Sequence, residues 1–179
     1  MRASRWLWLV VASFAIVVLQ LAIVNNLTIA GVHVELIWVL PIAAGLGAGP
    51  MAGMAAGFVG GAVVDLFLPT PYGLTALVGV VIGYVLGRLG EEGIGDLGGS
   101  AWWVAPSLAA AAGFLAPVLY ALSGAVIGHP SYLAIPLFVV SVLDAIACAV
   151  LVRPCMRVLG PLLADEPSRG GLEPVRGMA

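Results

Sequence analysis

Apolar residues fill this chain in six blocks, about 6–24, 34–47, 51–68, 72–88, 101–122 and 133–152, with charged residues largely confined to the stretches between them. No block carries a polar stripe along one side, so each reads as a helix that is hydrophobic all round, the pattern of a membrane span. The first block, about 19 residues long, is sufficient to cross a hydrocarbon layer that takes about 20. It exceeds the apolar core of a signal peptide, about 7 to 15 residues, and ends in Asn25-Asn26 rather than at a small-residue cleavage site, so it is expected to be retained. The second block is short and contains Pro41, which fits a tilted or thin-spanning helix, or a re-entrant one. Trp102 and Trp103 mark an interface at the start of the fifth block. The division expected is a membrane domain over 1–160 and a disordered tail over 161–179, where proline, glycine and charge dominate.

Glycine placement organises the centre of the pattern. Gly45, Gly49, Gly53, Gly57 and Gly61 recur every four residues, and Asp65 takes the next place in the series. Residues four apart lie along one inclined ridge of a helix, so the ladder cuts a side-chain-free groove into which another backbone can settle. Gly79, Gly83 and Gly87 repeat the device beyond the turn Leu68-Pro69-Thr70-Pro71-Tyr72. In water each such glycine costs about 1 kcal/mol relative to alanine. In lipid, helices have no hydrophobic reason to associate, and close van der Waals contact takes over that role.

Composition and charge settle class and orientation. The chain is 62% hydrophobic and 9% charged, with a mean hydropathy of +1.14, more apolar surface than 179 residues of soluble domain could bury. A net charge of −2 without a single lysine leaves no basic surface for nucleic acid, and points to lipids and other proteins as partners. With six spans and an inner N-terminus, all seven basic residues, Arg2, Arg5, Arg88, Arg153, Arg157, Arg169 and Arg176, fall on the inner side. A re-entrant second block would move Arg88 outside, so the charge pattern favours a true second span.

Two acids remain inside the apolar zone, where ionisable residues are functional candidates by default. Asp65 ends the third span, facing the negative end of its own helix, and is expected to accept from free N–H groups at the start of the fourth, around Gly73 and Leu74. Pro71, Tyr72 and Gly73 form the external turn it would staple; a proton or substrate ligand, or a contact for another protein, is the functional alternative. Asp144 lies near the middle of the sixth span, with Ser141 three residues before it and with Tyr120 and His129 able to approach; a neutral, hydrogen-bonded carboxyl in the bundle interior is the preferred reading. His33, Glu35 and His129 are expected to be exposed on the outer side. Pro41, Pro106, Pro117 and Pro136 permit kinks within spans. Cys148 and Cys155 have no histidine nearby to complete a metal set and read as ordinary thiols. Nucleophile-elbow, zinc-protease and phosphate-loop motifs are absent, as are paired carboxylates at a catalytic spacing, so neither an enzyme nor a cofactor is expected.

The order of features resembles one known family. Gly49-Pro50-x-x-Gly53-x-x-x-Gly57, Asp65, Tyr72-Gly73-Leu74-x-Ala76-Leu77 and Gly83-Tyr84-x-x-Gly87-Arg88, preceded by a span ending in a polar pair and a short apolar segment, resemble the rod shape-determining protein MreD. The resemblance implies a non-enzymatic, multi-pass component of the bacterial inner membrane within the cell-elongation (rod) complex. It would bind MreC directly, share a complex with a RodA-type polymerase and a class B penicillin-binding protein, and reach MreB indirectly, so regulating cell shape and peptidoglycan synthesis. It also implies an all-α bundle of six transmembrane helices, N-in and C-in, like the substrate-binding subunits of energy-coupling-factor transporters. In that setting Gly49, Gly53, Gly57, Gly61, Gly79, Gly83 and Gly87 would serve internal packing and a partner helix. The same fold supplies the alternative, a vitamin-binding subunit, for which the outer residues Asn25, Asn26, His33, Glu35, Tyr72, His129 and Tyr132 are a thin donor set. A channel is disfavoured because no span has a polar stripe.

Overall fold

The shortest helix lies at the centre of the bundle. The computed structural model describes residues 3–22, 34–67, 73–93, 102–128 and 135–163. Among these, every regular element is helical: α1 (Ala3–Ala22), α2 (Val39–Ala48) entered through a single 3-10 turn (Leu36–Trp38), α3 (Pro50–Phe67), α4 (Leu74–Gly93), α5 (Val104–Val126) and α6 (Ile135–Leu163). Helices α3, α4, α5 and α6 are each long and apolar enough to cross a membrane, whereas α1 contributes an apolar stretch Val10–Gln20 and α2 one of Leu36–Ala48. Helix α2 is buried continuously from Trp38 to Leu46 and contacts α3, α4, α5 and α6. A helix that is apolar on every side belongs in an interior, and ten residues, about 15 Å, are too few to face lipid across the whole layer.

Around this core four of the remaining helices pair as two antiparallel hairpins, and α1 lies against α3. In the first, Gly53, Gly57 and Gly61 of α3 lie against Gly83, Gly79 and Ala76 of α4, and Gly87 lies against Pro50. In the second, α5 meets α6 through an edge-to-face contact of Phe114 and Phe138, centroids 6.1 Å apart, and through Gly113, which lies under Asp144 and Cys148. Helices α2 and α6 run in the same direction, since Glu35 faces Asp144 at one end and Gly47 faces Met156 and Gly160 at the other. The outward faces carry large apolar side chains, among them Leu7, Phe14, Phe58, Leu77, Leu115, Phe138 and Val150, all exposed to what would be lipid.

The helix limits depart from the sequence pattern in instructive places. Helix α6 continues eleven residues past the expected end at 152, to Leu163, running through Pro154 and Pro161. A proline in a helix interior removes one hydrogen bond and crowds the preceding turn. Here Val152, Leu159 and Leu163 are buried against the core, and Gly160 packs against Gly47, so tertiary contact offsets that loss. Helix α4 likewise continues past Arg88 to Gly93, over part of the expected loop. Of the four prolines expected to kink spans, Pro106 and Pro136 fall in the first turns of α5 and α6, where the missing N–H has no intrahelical partner to lose. Pro41 falls in the first turn of α2, and Pro117 alone of the four is in a helix interior.

Candidate functional site

Glycine ladders on α3 and α4 close upon each other. A methyl group on Gly79 would lie 2.8 Å from the Gly57 carbonyl oxygen, and one on Gly45 would lie 2.6 Å from that of Gly83. Gly53, Gly57, Gly61, Gly83 and Gly87 have even less room, each facing backbone atoms. The groove that the four-residue spacing cuts is therefore filled from within the chain, by α4 and by the end of α2. A partner helix cannot lie in it, which removes Gly53 and Gly57 from any outward docking surface. Gly49 differs from the others: it joins α2 to α3 with φ of 88°, a left-handed conformation that side chains resist, and its N–H donates to the Gly45 carbonyl at 2.9 Å.

Asp65 closes the far end of this hairpin. Its carboxylate, 2% exposed, accepts the Gly73 N–H at 2.9 Å and the Ala76 N–H at 3.4 Å through Oδ2. These donors belong to the free N–H groups at the start of α4, so one acid from the end of α3 caps its neighbour. Pro71 and Tyr72, the other residues expected in this turn, lie outside the described residues.

Asp144 performs the same chemistry across the bundle. It sits ten residues into α6, fully buried, and its Oδ1 accepts the backbone N–H of Glu35 at 2.7 Å. Gln20, from the last turn of α1, grips the same extended segment with both amide atoms: Nε2 donates to the Val34 carbonyl at 2.6 Å and Oε1 accepts the Leu36 N–H at 2.9 Å. The Trp38 indole N–H donates to Glu35 Oε2 at 2.9 Å. Extended backbone within an apolar layer needs such partners, because no water is present to supply them. Glu35 is half-buried in this junction rather than exposed on the outer side. Ser141 shares the buried side of α6 with Asp144, Tyr120 is half-buried on α5, and His33 and His129 lie outside the described residues.

Gln20 and Trp38 are the participants that sequence reasoning missed. The available signal was a lone amide near the end of an otherwise apolar span, a residue that in lipid must find a protein partner. Nearer the C-terminal end of α6, Arg153 donates to the Trp102 carbonyl ahead of α5, and Arg88 pairs with Glu91 at 3.5 Å on the exposed surface. A shallow cavity of about 280 Å³ lies between Gly45–Gly49 and Gly87, Gly90 and Glu91. Among the described residues no group of three or more His, Cys, Asp and Glu is placed to hold a metal ion. No family model, no curated protein and no solved structure matches the chain.

The arrangement positions backbone. Asp65 at the hairpin, and Asp144 and Gln20 at the junction, each serve a helix start or an extended segment, and the surrounding contacts are those of helix on helix.

Proposed function

We propose that this protein is a non-enzymatic membrane scaffold of the bacterial cell-elongation complex, of the MreD type, acting through lateral helix contacts in the inner membrane. The observation that carries the reading is that the residues of the resemblance form one physical unit: Gly53, Gly57, Gly83 and Gly87 are among the closest approaches of the α3–α4 hairpin, and Asp65 locks it through Gly73. The six-span, N-in and C-in arrangement is supported by two features. All seven basic residues fall on one side in that topology, and α2 and α6 run parallel, as two even-numbered spans must.

In this reading the direct partner is MreC, a protein with a single membrane helix, and the partner helix docks on an outer face of the bundle, since the glycine groove is already filled. A RodA-type polymerase and a class B penicillin-binding protein share the complex, and MreB is reached indirectly. Four helices of spanning length suit a protein whose partners are met within the bilayer.

Affinity purification of a tagged copy from its native membrane in mild detergent, with partners identified by mass spectrometry, tests this directly. Recovery of MreC with the elongation synthases is the expected result. Recovery of an energy-coupling module with its ATPases would replace the scaffold reading with that of a vitamin-transporter subunit of similar architecture.

A further inference from the structure

Two oxygen atoms in the centre of the bundle have no partner. Asp144 uses Oδ1 to accept the Glu35 N–H, while its Oδ2 and the Oγ of Ser141 are buried and bond to nothing. Both residues are 0% exposed. A separation of three places them on one side of α6, about a turn apart. Neutralisation of Asp144 alone leaves a proton on Oδ2 that needs an acceptor, which only a water bridging to Ser141 would supply, whereas one monovalent cation satisfies both oxygens and the charge together. An ordered water would satisfy both oxygens but leave a carboxylate charge uncompensated within a span. Arg153 on the same helix is nine residues further inward, about 14 Å along the axis, and donates to Trp102. The groups that face Asp144 from the elements around it are Glu35 ahead of α2, through its backbone N–H and its own acidic side chain, and Gly113 on α5, with Cys148 one turn along α6. None of these brings a positive charge.

We propose that Asp144 Oδ2 and Ser141 Oγ are ligands of an intramembrane Na⁺ site at the point where α2 begins. Both ligand atoms are oxygens, which suits a hard cation rather than a transition metal. One uncommitted carboxylate oxygen matches a monovalent ion, whereas a divalent ion takes more oxygen ligands or keeps several waters. Extended backbone entering a helix part-way through the layer, as at Val34 and Glu35, is the setting in which membrane proteins coordinate such ions. Because Asp144 Oδ1 and Gln20 hold residues 34–36, ion binding at Oδ2 tightens the same junction of α1, α2 and α6.

The test uses the purified full chain in detergent, with NaCl exchanged for choline chloride at constant pH and ionic strength. The melting temperature of the wild type is expected to rise with Na⁺ and saturate, with radiolabelled Na⁺ binding over the same range. Ser141→Ala should need about tenfold more Na⁺ for the same response, and Asp144→Asn should fold without responding to it. Should Asp144→Asn fail to fold, the shift in Ser141→Ala carries the test. Equal melting in Na⁺ and choline without bound ion would overturn the proposal. So would melting that follows pH but not Na⁺, which assigns Asp144 a proton, or an unaltered Na⁺ response in Ser141→Ala and Asp144→Asn, which places the ion elsewhere.

Discussion

The α3–α4 hairpin and the α1–α2–α6 junction solve one problem at two ranges. Each sets a buried aspartate against N–H groups at or just before the start of another helix, but Asp65 precedes Gly73 by eight residues whereas Asp144 lies 109 residues from Glu35. The hairpin is sealed along its length by glycine backbones in contact and closes a short loop, so its cap adds to packing that is already local. The junction has no such zipper. Its extended segment is held by a few hydrogen bonds from helices far apart in sequence, and it forms only when α1, α2 and α6 are all in place. The difference shows that a local cap finishes an element, while a long-range cap determines how elements assemble.

The largest expected effect falls on the hairpin. Gly57→Leu would drive a side chain into the Gly79 backbone, so no monodisperse folded protein should appear on size-exclusion chromatography, and even Gly57→Ala should lose about 3 kcal/mol of stability. Wild-type yield and melting in both variants would break the account of a closed groove. Next comes Asp144→Ala, which takes the acceptor from the half-buried Glu35 N–H and empties a fully buried site, and should cost about 2–3 kcal/mol, measured as a lowered melting temperature in detergent. Asp65→Ala should cost less, about 1–2 kcal/mol, because Gly73 is exposed and water can take over its N–H, while the buried Ala76 N–H loses only a long bond of 3.4 Å. A reversal of that order would mean that the local cap, not the distant one, governs assembly. The smallest change is Gly90→Ala on α4, where an added methyl meets nothing closer than 3.7 Å; it should be neutral or stabilise by up to about 1 kcal/mol through helix propensity. Marked destabilisation there would show that the glycines of α4 do more than permit close approach.

Much of the hairpin was legible because its determinants are periodic and local. A four-residue glycine spacing specifies a groove, and an acid in the next place of the series, just before a turn, specifies a cap on the helix beyond that turn. Sequence could not say that α4 itself fills the groove, because a ladder of small residues reads the same whether the occupying helix is internal or foreign. The junction was legible only in fragments. Asp144 and Ser141 stood out as polar residues in a span, but the contact of Asp144 with Glu35 crosses most of the chain and leaves no periodic trace, and Gln20 has no neighbour in sequence that reveals its role. The central place of α2 was hidden for a similar reason, since a short apolar block looks like a poor span until the helices around it are known. The ends of α4 and α6 were missed because the charges after Leu89 and the prolines from Pro154 onward are local breakers, and packing of Leu159, Gly160 and Leu163 on the core outweighs the prolines.

The claim on which both halves rest is that α2 is a full member of the bundle, passing alongside α6 rather than turning back at the surface. Gly47 and Gly160 face each other closely enough for a disulfide, a Cβ on Gly47 lying 3.6 Å from the Gly160 Cα. With Cys148 and Cys155 replaced by alanine, the pair Gly47→Cys and Gly160→Cys would be oxidised in native membranes and the chain cut at a protease site inserted in the 94–100 stretch. The two fragments are expected to stay joined until reductant is added. Fragments that separate without reductant, in a protein that melts like the wild type, would contradict that placement of α2.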